Sequence, residues 1–208
     1  MRRLVIAFAA GLVVPAAANA QRLAASYGLS YSEHKLIRIL NGYDLRATTP
    51  RFRALSATLS FGRHAGTHGR RGVACGGFPD PNEFCPVEPL RDEATSTNFG
   101  GALDVTLHPN ERIAGTVSFG LQVIRLKSST RGETTGNRIQ TKPMKIGPAI
   151  GFELNTQPRT TVPVGVRFGV ASGLFVAPGT DWTDTYAPFE SPFSITRFDV
   201  GLVWFIRR

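Results

Sequence analysis

The four histidines, and the acidic and hydroxyl side chains around them, are the residues of this chain whose chemistry could support catalysis or metal binding. His64 and His68 are four residues apart, a spacing that would place them on one face of a helix. They lie where a strand gives way to a loop, so we expect solvated loop histidines with no metal. The sequence has no Gly-x-Ser-x-Gly elbow, phosphate loop or His-Glu-x-x-His motif. We therefore predict no catalytic residue, no metal and no cofactor.

The first twenty residues have the composition of an export signal. They combine a positive start, an apolar run and a small-x-small cleavage site, at residues 2–3, 4–14 and 18–20. The apolar run is too short to span a bilayer as a helix. We predict a cleaved signal peptide at residues 1–20 and a single domain at residues 21–208.

Cys75 and Cys85 lie in one Gly- and Pro-rich loop. An exported chain meets an oxidising compartment, so we predict a disulfide between them. Closing so short a loop contributes roughly 2–3 kcal/mol in the chain-entropy model. The bridge is therefore expected to staple the loop locally and to carry no chemistry.

The formal net charge of +9 would suit a nucleic-acid-binding protein. Export argues against that class, and the basic residues are dispersed along the chain. We predict no nucleic-acid partner.

Seven stretches of the chain alternate apolar with small or polar residues at period two, which indicates strands. In the clearest, residues 160–171, Val166 and Phe168 share one face and Arg167 lies on the other. Residues 35–46 fit a strand or a helix equally well. Because single-chain bacterial barrels usually have an even number of strands, we predict an eighth strand there. The predicted strands are residues 22–31, 35–46, 53–62, 97–107, 112–126, 142–154, 160–171 and 193–206.

The connections between these strands alternate in length. The long ones fall at one end and the short ones at the other, which is typical of transmembrane barrels. We therefore predict an all-β fold, an eight-stranded antiparallel up-and-down transmembrane β-barrel. The long connections are residues 63–96, 127–141 and 172–192, and the short ones are residues 46–52, 108–111 and 155–159.

The two faces of the strands differ in charge. The apolar faces carry no ionised residue at their centres, where a Lys or Arg facing lipid would cost about 2–4 kcal/mol. The opposite faces hold three acids and three bases, a balance that permits paired networks inside the barrel. We predict a plugged interior and no open pore. The predicted interior charges are Asp104, Lys145, Glu153, Arg167, Arg197 and Asp199.

A soluble periplasmic barrel of the lipocalin type is an alternative. Its apolar faces would point inward, and its Arg- and Asp-bearing faces would meet water. The polar faces are dominated by Gly, Ala, Ser and Thr and carry few charges. This composition favours the membrane barrel.

Over most of its predicted mature length, the chain resembles the small outer-membrane β-barrel proteins of bacteria. The resemblance rests on the strand pattern and on the closing segment FDVGLVWF at residues 198–205. In that family the last strand alternates apolar residues and ends in an aromatic residue, which the barrel-assembly machinery reads. The resemblance implies an outer-membrane location, handling by periplasmic chaperones, and a structural or surface-interaction role as a monomer. It assigns the assembly signal to Phe198, Val200, Leu202, Trp204 and Phe205.

The predicted outer loops carry basic side chains that can meet the phosphates of outer-membrane lipids, including lipopolysaccharide, or another anionic partner. These are Arg70, Arg71, Lys127, Arg131 and Arg138.

Some barrels of this kind are lipid-modifying enzymes that use a His, a Ser and an acid at the lipid-facing rim. Residues 181–191 supply acids and hydroxyls, and His34 or His64 could approach from other loops. Nothing in their spacing is specific to a lipid A hydrolase or acyltransferase. We keep that activity as the alternative to a non-enzymatic barrel.

Overall fold

The computed structural model describes residues 22–32, 38–72, 87–107, 112–136, 138–142, 144–156, 163–175 and 193–206. Within these residues, no helix has the length and apolar character needed to cross a membrane. The described residues form strands β1 (Arg22–Tyr31), β2 (Ile39–Thr48), β3 (Leu55–Gly72), β4 (Glu88–Leu107), β5 (Ile113–Gly132), β6 (Arg138–Thr141), β7 (Met144–Thr156), β8 (Val164–Phe175) and β9 (Phe193–Phe205).

The strands close into a ring in which every neighbouring pair is antiparallel. The order is β1-β2-β3-β4-β5-β7-β8-β9, and β9 pairs with β1. β6 is a continuation of β7, because both pair with β5 in one register: Arg131 lies opposite Arg138, and Arg125 opposite Met144. The ring therefore has eight up-and-down strands, which confirms the predicted architecture.

The strands are staggered around the ring. Following cross-strand partners from Arg22 leads once around the sheet to Ile195, and one further step in the β9–β1 register reaches Ser32. The path thus returns to β1 ten residues beyond its start, a stagger that tilts the strands and leaves an interior that side chains can fill. The intermediate positions are Thr48, Thr58, Ala102, Gly120, Ala149 and Gly173.

The segment whose local pattern suited either a strand or a helix forms strand β2. It pairs with β1 and with β3, and Tyr43 lies opposite Tyr27 and Arg63. Leu40, Gly42 and Asp44 are buried while their neighbours along β2 face outward. This segment is therefore the eighth strand that was predicted from the even strand number of such barrels.

Three strands extend much further than predicted. Residues 63–72 and 88–96 were expected in a long loop but form the paired ends of β3 and β4. Residues 127–132 continue β5, and residues 138–141 form β6. We call these four segments the extension. Apart from a few residues such as Leu90 and Ala94, its side chains are polar or small on both faces, so apolar periodicity gave no sign of strands there.

The outer and inner faces of the ring differ sharply. On β8, the side chains of Val166 and Phe168 are 39% and 54% exposed, whereas Arg167 between them is 1% exposed. The same alternation runs along β9, where Leu202 faces outward and Asp199 is buried. We call the outward-facing large apolar side chains the apolar belt. Its members include Leu29, Tyr43, Phe61, Phe99, Leu103, Phe119, Leu121, Val123, Ile150, Phe152, Phe168 and Leu202.

Candidate functional site

A buried cluster of charged residues crosses the interior around Arg167. The Arg167 guanidinium donates from Nε to Glu153 Oε2 at 2.8 Å, and from Nη1 to Ser26 Oγ at 3.0 Å and to Asp199 Oδ1. Arg46 reaches the same two carboxylates, with Nη1 at 3.1 Å from Glu153 Oε2 and Nη2 at 3.8 Å from Asp199 Oδ2. Two cations thus balance two anions, which limits the cost of burying all four.

Glycine makes room for this cluster. A Cβ atom on Gly169 would lie 2.5 Å from Arg167 Nη2 and 2.9 Å from Asp199 Oδ1. Any side chain at position 169 would therefore displace the guanidinium or the carboxylate. The glycines on the inward faces of the strands are thus part of how the ring accommodates long charged side chains.

A second charged group surrounds Asp44. Arg197 Nη1 lies 3.3 Å from Asp44 Oδ1, and Arg197 Nη2 also donates to Gln122 Oε1. His64 Nε2 lies 3.2 Å from Asp44 Oδ2. His64 is 1% exposed, so the expectation of a solvated loop histidine is wrong for this residue. The loop boundary had been placed at residue 63, whereas β3 continues past it and turns His64 inward.

The structure places all six predicted interior charges inside the ring. Glu153, Arg167 and Asp199 meet in one cluster, and Arg197 joins the other. Asp104 is buried elsewhere and accepts a hydrogen bond from Thr58 Oγ1 at 2.5 Å, and Lys145 is buried on β7.

The interior charges Asp44 and Arg46, which take part in these clusters, were missing from the sequence prediction. Both lie on β2, at inward positions of a period-two pattern. They could be assigned to the interior only once that segment was known to be a strand. The alternation of the flanking outward residues Tyr43 and Leu45 was the available signal.

An apolar layer fills the interior between the charged clusters and the extension. Along β5 the inward positions change from the polar Gln122 to the apolar Ile124 and Leu126, which are both buried. Phe175 and Phe193 pack there with ring centroids 5.8 Å apart. The layer consists of Leu40, Ala94, Ile124, Leu126, Phe175, Phe193 and Ile195.

The apolar belt ends at a sharp chemical boundary. Phe61 and Phe99 are cross-strand partners with ring centroids 5.0 Å apart, and Val123 lies beside Phe99 on β5. Two residues further along these strands, the outward positions are Arg63 and Arg125, with Thr97 between them. Apolar and aromatic side chains are thus followed directly by guanidinium groups.

The inner face of the extension is polar and well paired. Arg70 Nε donates to Asp92 Oδ2 at 2.6 Å, and Thr130 donates to the other carboxylate oxygen of Asp92. His68 Nε2 lies 3.4 Å from Asp92 Oδ2. Arg70 was predicted in an outer loop, where it could meet lipid phosphates or another anionic partner; it lies on β3 instead and pairs with buried Asp92.

Glu88 fastens the turn between β5 and β6. Its carboxylate accepts from Thr135 Oγ1 at 2.6 Å and from the backbone N–H groups of Thr135 and Thr134 at 2.9 and 2.7 Å. These hydrogen bonds favour the ionised form, so the Thr135 hydroxyl and the two amides lower the pKa of Glu88. Gly136 closes the turn in the left-handed region, with φ of 73°.

The outer face of the extension carries three arginines in a row. Arg91 on β4 is the direct partner of Arg131 on β5, which is the direct partner of Arg138 on β6. All three side chains are exposed. Arg131 and Arg138 had been predicted in an outer loop and lie on strands instead.

Several predicted site residues lie outside the described part of the chain. Cys75 and Cys85 are among them, and their disulfide stays a prediction. His34 and residues 181–191, which the enzymatic alternative requires, are also outside it. Of the predicted assembly signal, Phe198, Val200, Leu202 and Trp204 face outward on β9, and Phe205 ends that strand.

Comparison with protein-family models finds no match, and neither does comparison with curated protein sequences. The solved structures that share the fold include two small outer-membrane β-barrel proteins. One is Ail, the attachment invasion locus protein of Yersinia pestis, in complex with the heparin analogue sucrose octasulfate; its TM-score is 0.51 at 11% identity, covering 88% of this chain and 97% of Ail. The other is Neisserial surface protein A, with a TM-score of 0.50 at 10% identity, covering 89% of this chain and 96% of that one. At these identities the likeness concerns the fold.

Proposed function

We propose that this chain is a bacterial outer-membrane β-barrel protein with a structural or surface-interaction role, a sealed interior and no catalytic activity. The observation that carries the proposal is the opposition of the two faces of the ring. The apolar belt faces outward, and the charged clusters face inward. In this proposal residues 1–20 are a cleaved signal peptide and the mature protein is a monomer.

The apolar belt suits lipid and does not suit water. Leu103, Phe119 and Leu121 are more than half exposed on the outside of neighbouring strands. Soluble monomers rarely expose contiguous apolar patches larger than a few hundred Å², whereas a bilayer receives such a surface without penalty. The soluble lipocalin-like alternative requires the reverse arrangement, with Arg167 and Asp199 in water, and the burial of both residues contradicts it.

The interior supports a sealed barrel. A cavity of about 40 Å³ lies among the charged clusters, beside Asp44, Gln122 and Arg197. That volume holds one or a few water molecules and no hydrated solute. The apolar layer beyond it, with Phe175 and Phe193 in contact, adds a barrier to ions.

The boundary of the belt supports a lipid partner. Arg63 and Arg125 follow the last outward aromatic and aliphatic residues, at the depth where a lipid would carry its phosphates. Charge-assisted hydrogen bonds from guanidinium groups to phosphate are strong and geometrically selective. We propose that these two residues, with Lys127, contact outer-membrane lipids including lipopolysaccharide. Assembly through periplasmic chaperones and the barrel-assembly machinery, which would read the outward residues of β9, belongs to the same proposal.

The enzymatic alternative has no support among the described residues. His64, one of its two candidate histidines, is turned into the ring beside Asp44 and lies away from the lipid-facing surface. A surface-interaction role has the support of fold relatives named for attachment and for the cell surface, one of them bound to a sulfated saccharide.

Closure of the barrel in a membrane-like environment is the property to test. Protein refolded in detergent should run faster on a gel before boiling than after it, and its strands should resist protease. A closed ring predicts both results, because unfolding it requires breaking every pairing between neighbouring strands together. Boiled protein serves as the control. Equal mobility of the two samples, with full digestion, would falsify the proposal.

A further inference from the structure

We propose that Arg91, Arg131 and Arg138 form a binding site for a saccharide that carries sulfate or phosphate esters. The inference rests on the proposed surface-interaction role and adds a site and a ligand class to it. We call these three residues the arginine row.

The arrangement of the row is unfavourable for folding. Arg131 lies directly opposite Arg91 on one side and Arg138 on the other. Partners in an antiparallel sheet have Cα atoms only about 4.5–5.5 Å apart, and like charges placed there destabilise the sheet. Three guanidinium groups in succession are therefore not explained by the stability of the extension.

Local carboxylates do not neutralise the row. Arg91 Nε lies 3.5 Å from Glu93 Oε1, but both side chains are more than half exposed, and exposed pairs of this kind contribute little. Arg138 Nε donates to the neutral Ser129 hydroxyl at 2.7 Å. Among the described residues, Arg131 forms no ion pair. Three cations thus face one weakly held anion.

The row lines a concavity and is held in place. The concavity has a volume of about 440 Å³, and its lining adds Glu93, Ser129 and Gly136 to the three arginines. Glu88 fixes the turn that joins Arg131 to Arg138. The guanidinium groups therefore start from a positioned backbone, which lowers the entropic cost of binding.

The distance from the apolar belt selects the ligand. Arg131 lies eight residues beyond Val123 on β5, which is about 27 Å along a strand at roughly 3.4 Å per residue. A tilt of about 45° reduces this to about 19 Å above Val123, and to about 14 Å above Met144, the exposed belt residue opposite Arg125, whereas the headgroup layer is only about 5–7 Å thick. Lipid phosphates at that edge can reach Arg63 and Arg125 but not the arginine row. A ligand for the row must carry its anions on saccharide or another chain outside the membrane, and the spacing of the arginines suits closely spaced esters on one saccharide.

Two substitutions that each remove one positive charge distinguish binding at this site from the general attraction between a basic protein and an anion. Arg131→Gln removes the centre of the row. Arg112→Gln removes the same charge from an exposed position at the opposite end of β5. Both positions are exposed, so both variants should fold, and each is first checked for the gel shift of the closed barrel.

Binding is measured by calorimetry on detergent-refolded protein with three probes: a fully sulfated disaccharide, a phosphorylated lipopolysaccharide core oligosaccharide freed of lipid, and the matching neutral disaccharide. We expect the parent protein to bind one or both anionic probes, more weakly as salt rises. Arg131→Gln should weaken that binding at least ten-fold, and Arg112→Gln should leave it within two-fold. The anionic probe that binds more tightly identifies the source of the ester.

Equal affinity of the parent and Arg131→Gln for both anionic probes would overturn the site, as would no binding of either probe or equal binding of the neutral sugar. A normal gel shift in the same samples would leave the outer-membrane barrel intact while the saccharide site fails. Loss of the gel shift in the parent protein would instead reject the barrel itself.

Discussion

At the scale of single residues, the interior is held together by guanidinium groups that each serve more than one acceptor. Arg167 contacts Glu153, Asp199 and Ser26, and it is almost fully buried. Removing one partner of such a cluster leaves charges buried without compensation, which is more costly than never having buried them. Arg167 is therefore the residue whose loss the interior should tolerate least.

We expect Arg167→Met to destabilise the folded barrel by about 3–5 kcal/mol, because Glu153 and Asp199 would then share only Arg46. Urea unfolding in detergent or lipid vesicles measures the change. Arg71→Gln, an exposed position on the extension, is the control and should stay within about 0.5 kcal/mol of the parent. Adding Asp199→Asn to Arg167→Met should recover part of the loss. A single variant as stable as the parent would show that the cluster does not stabilise the ring.

Part of this interior was predictable from the sequence. Glu153, Arg167 and Asp199 lie opposite unbroken apolar faces, so their inward orientation followed from period two alone. The partners could not be predicted in the same way. Which charges meet across the ring depends on the stagger between strands. Arg46 and Glu153 are far apart in the sequence and meet only because the sheet closes into a ring.

At the scale of elements, strand pairing and apolar periodicity are separate properties. The parts of the strands that carry the apolar belt alternate apolar and polar residues, and this alternation predicted all eight strands. The extension also consists of paired strands. Its residues alternate in burial, but Arg91, Asp92 and Glu93 are all charged, so this alternation does not appear in the hydropathy of the sequence. The same reason explains why His64 was misplaced: it lies just where the hydropathy pattern stops and the sheet continues.

The extension contains an element whose order should depend on pH. The Thr135 hydroxyl and the amides of Thr135 and Thr134 lower the pKa of Glu88 below its ordinary value of 4.5. A carboxyl group with a lowered pKa in the folded state contributes stability above its ordinary pKa and loses that contribution as pH falls through the lowered value. The β5–β6 turn should therefore be ordered near neutral pH and loosen in acid, below about pH 4.5.

A spin label on Glu133→Cys, in a background without the native cysteines, reports this change. Its spectrum should sharpen as pH falls from neutrality through the region below pH 4.5. In Glu88→Gln, the neutral amide cannot reproduce the carboxylate contacts, so the label should be mobile already at neutral pH and insensitive to acid. An immobile label at all pH values in both proteins would show that Glu88 does not hold the turn.

At the scale of the whole molecule, the ring has two chemically unlike ends. One end carries the extension, with paired strands that reach well beyond the apolar belt and an outer surface of arginines. The other end carries short connections, such as the one between β2 and β3, where Arg53 adopts a left-handed φ of 58°. A barrel with this asymmetry should insert with the extension on the cell surface, because long connections in such barrels lie outside and short turns lie in the periplasm.

Single cysteines at the two ends test that orientation on intact cells. Glu133 lies in the turn that follows β5 and Arg112 directly precedes β5, and both side chains are exposed. In a background lacking Cys75 and Cys85, a membrane-impermeant thiol reagent should label Glu133→Cys on whole cells. Arg112→Cys should react only after the outer membrane is opened. Both variants react equally in the opened cells if both are folded, which controls for access to the thiol.

Labelling of Arg112→Cys alone on whole cells would mean that the barrel is inverted, and equal labelling of both variants there would mean that no membrane separates the two ends. The first result would place the arginine row away from external saccharides, and the second would reject the membrane barrel, so the orientation of the whole ring decides whether that site can meet its ligand.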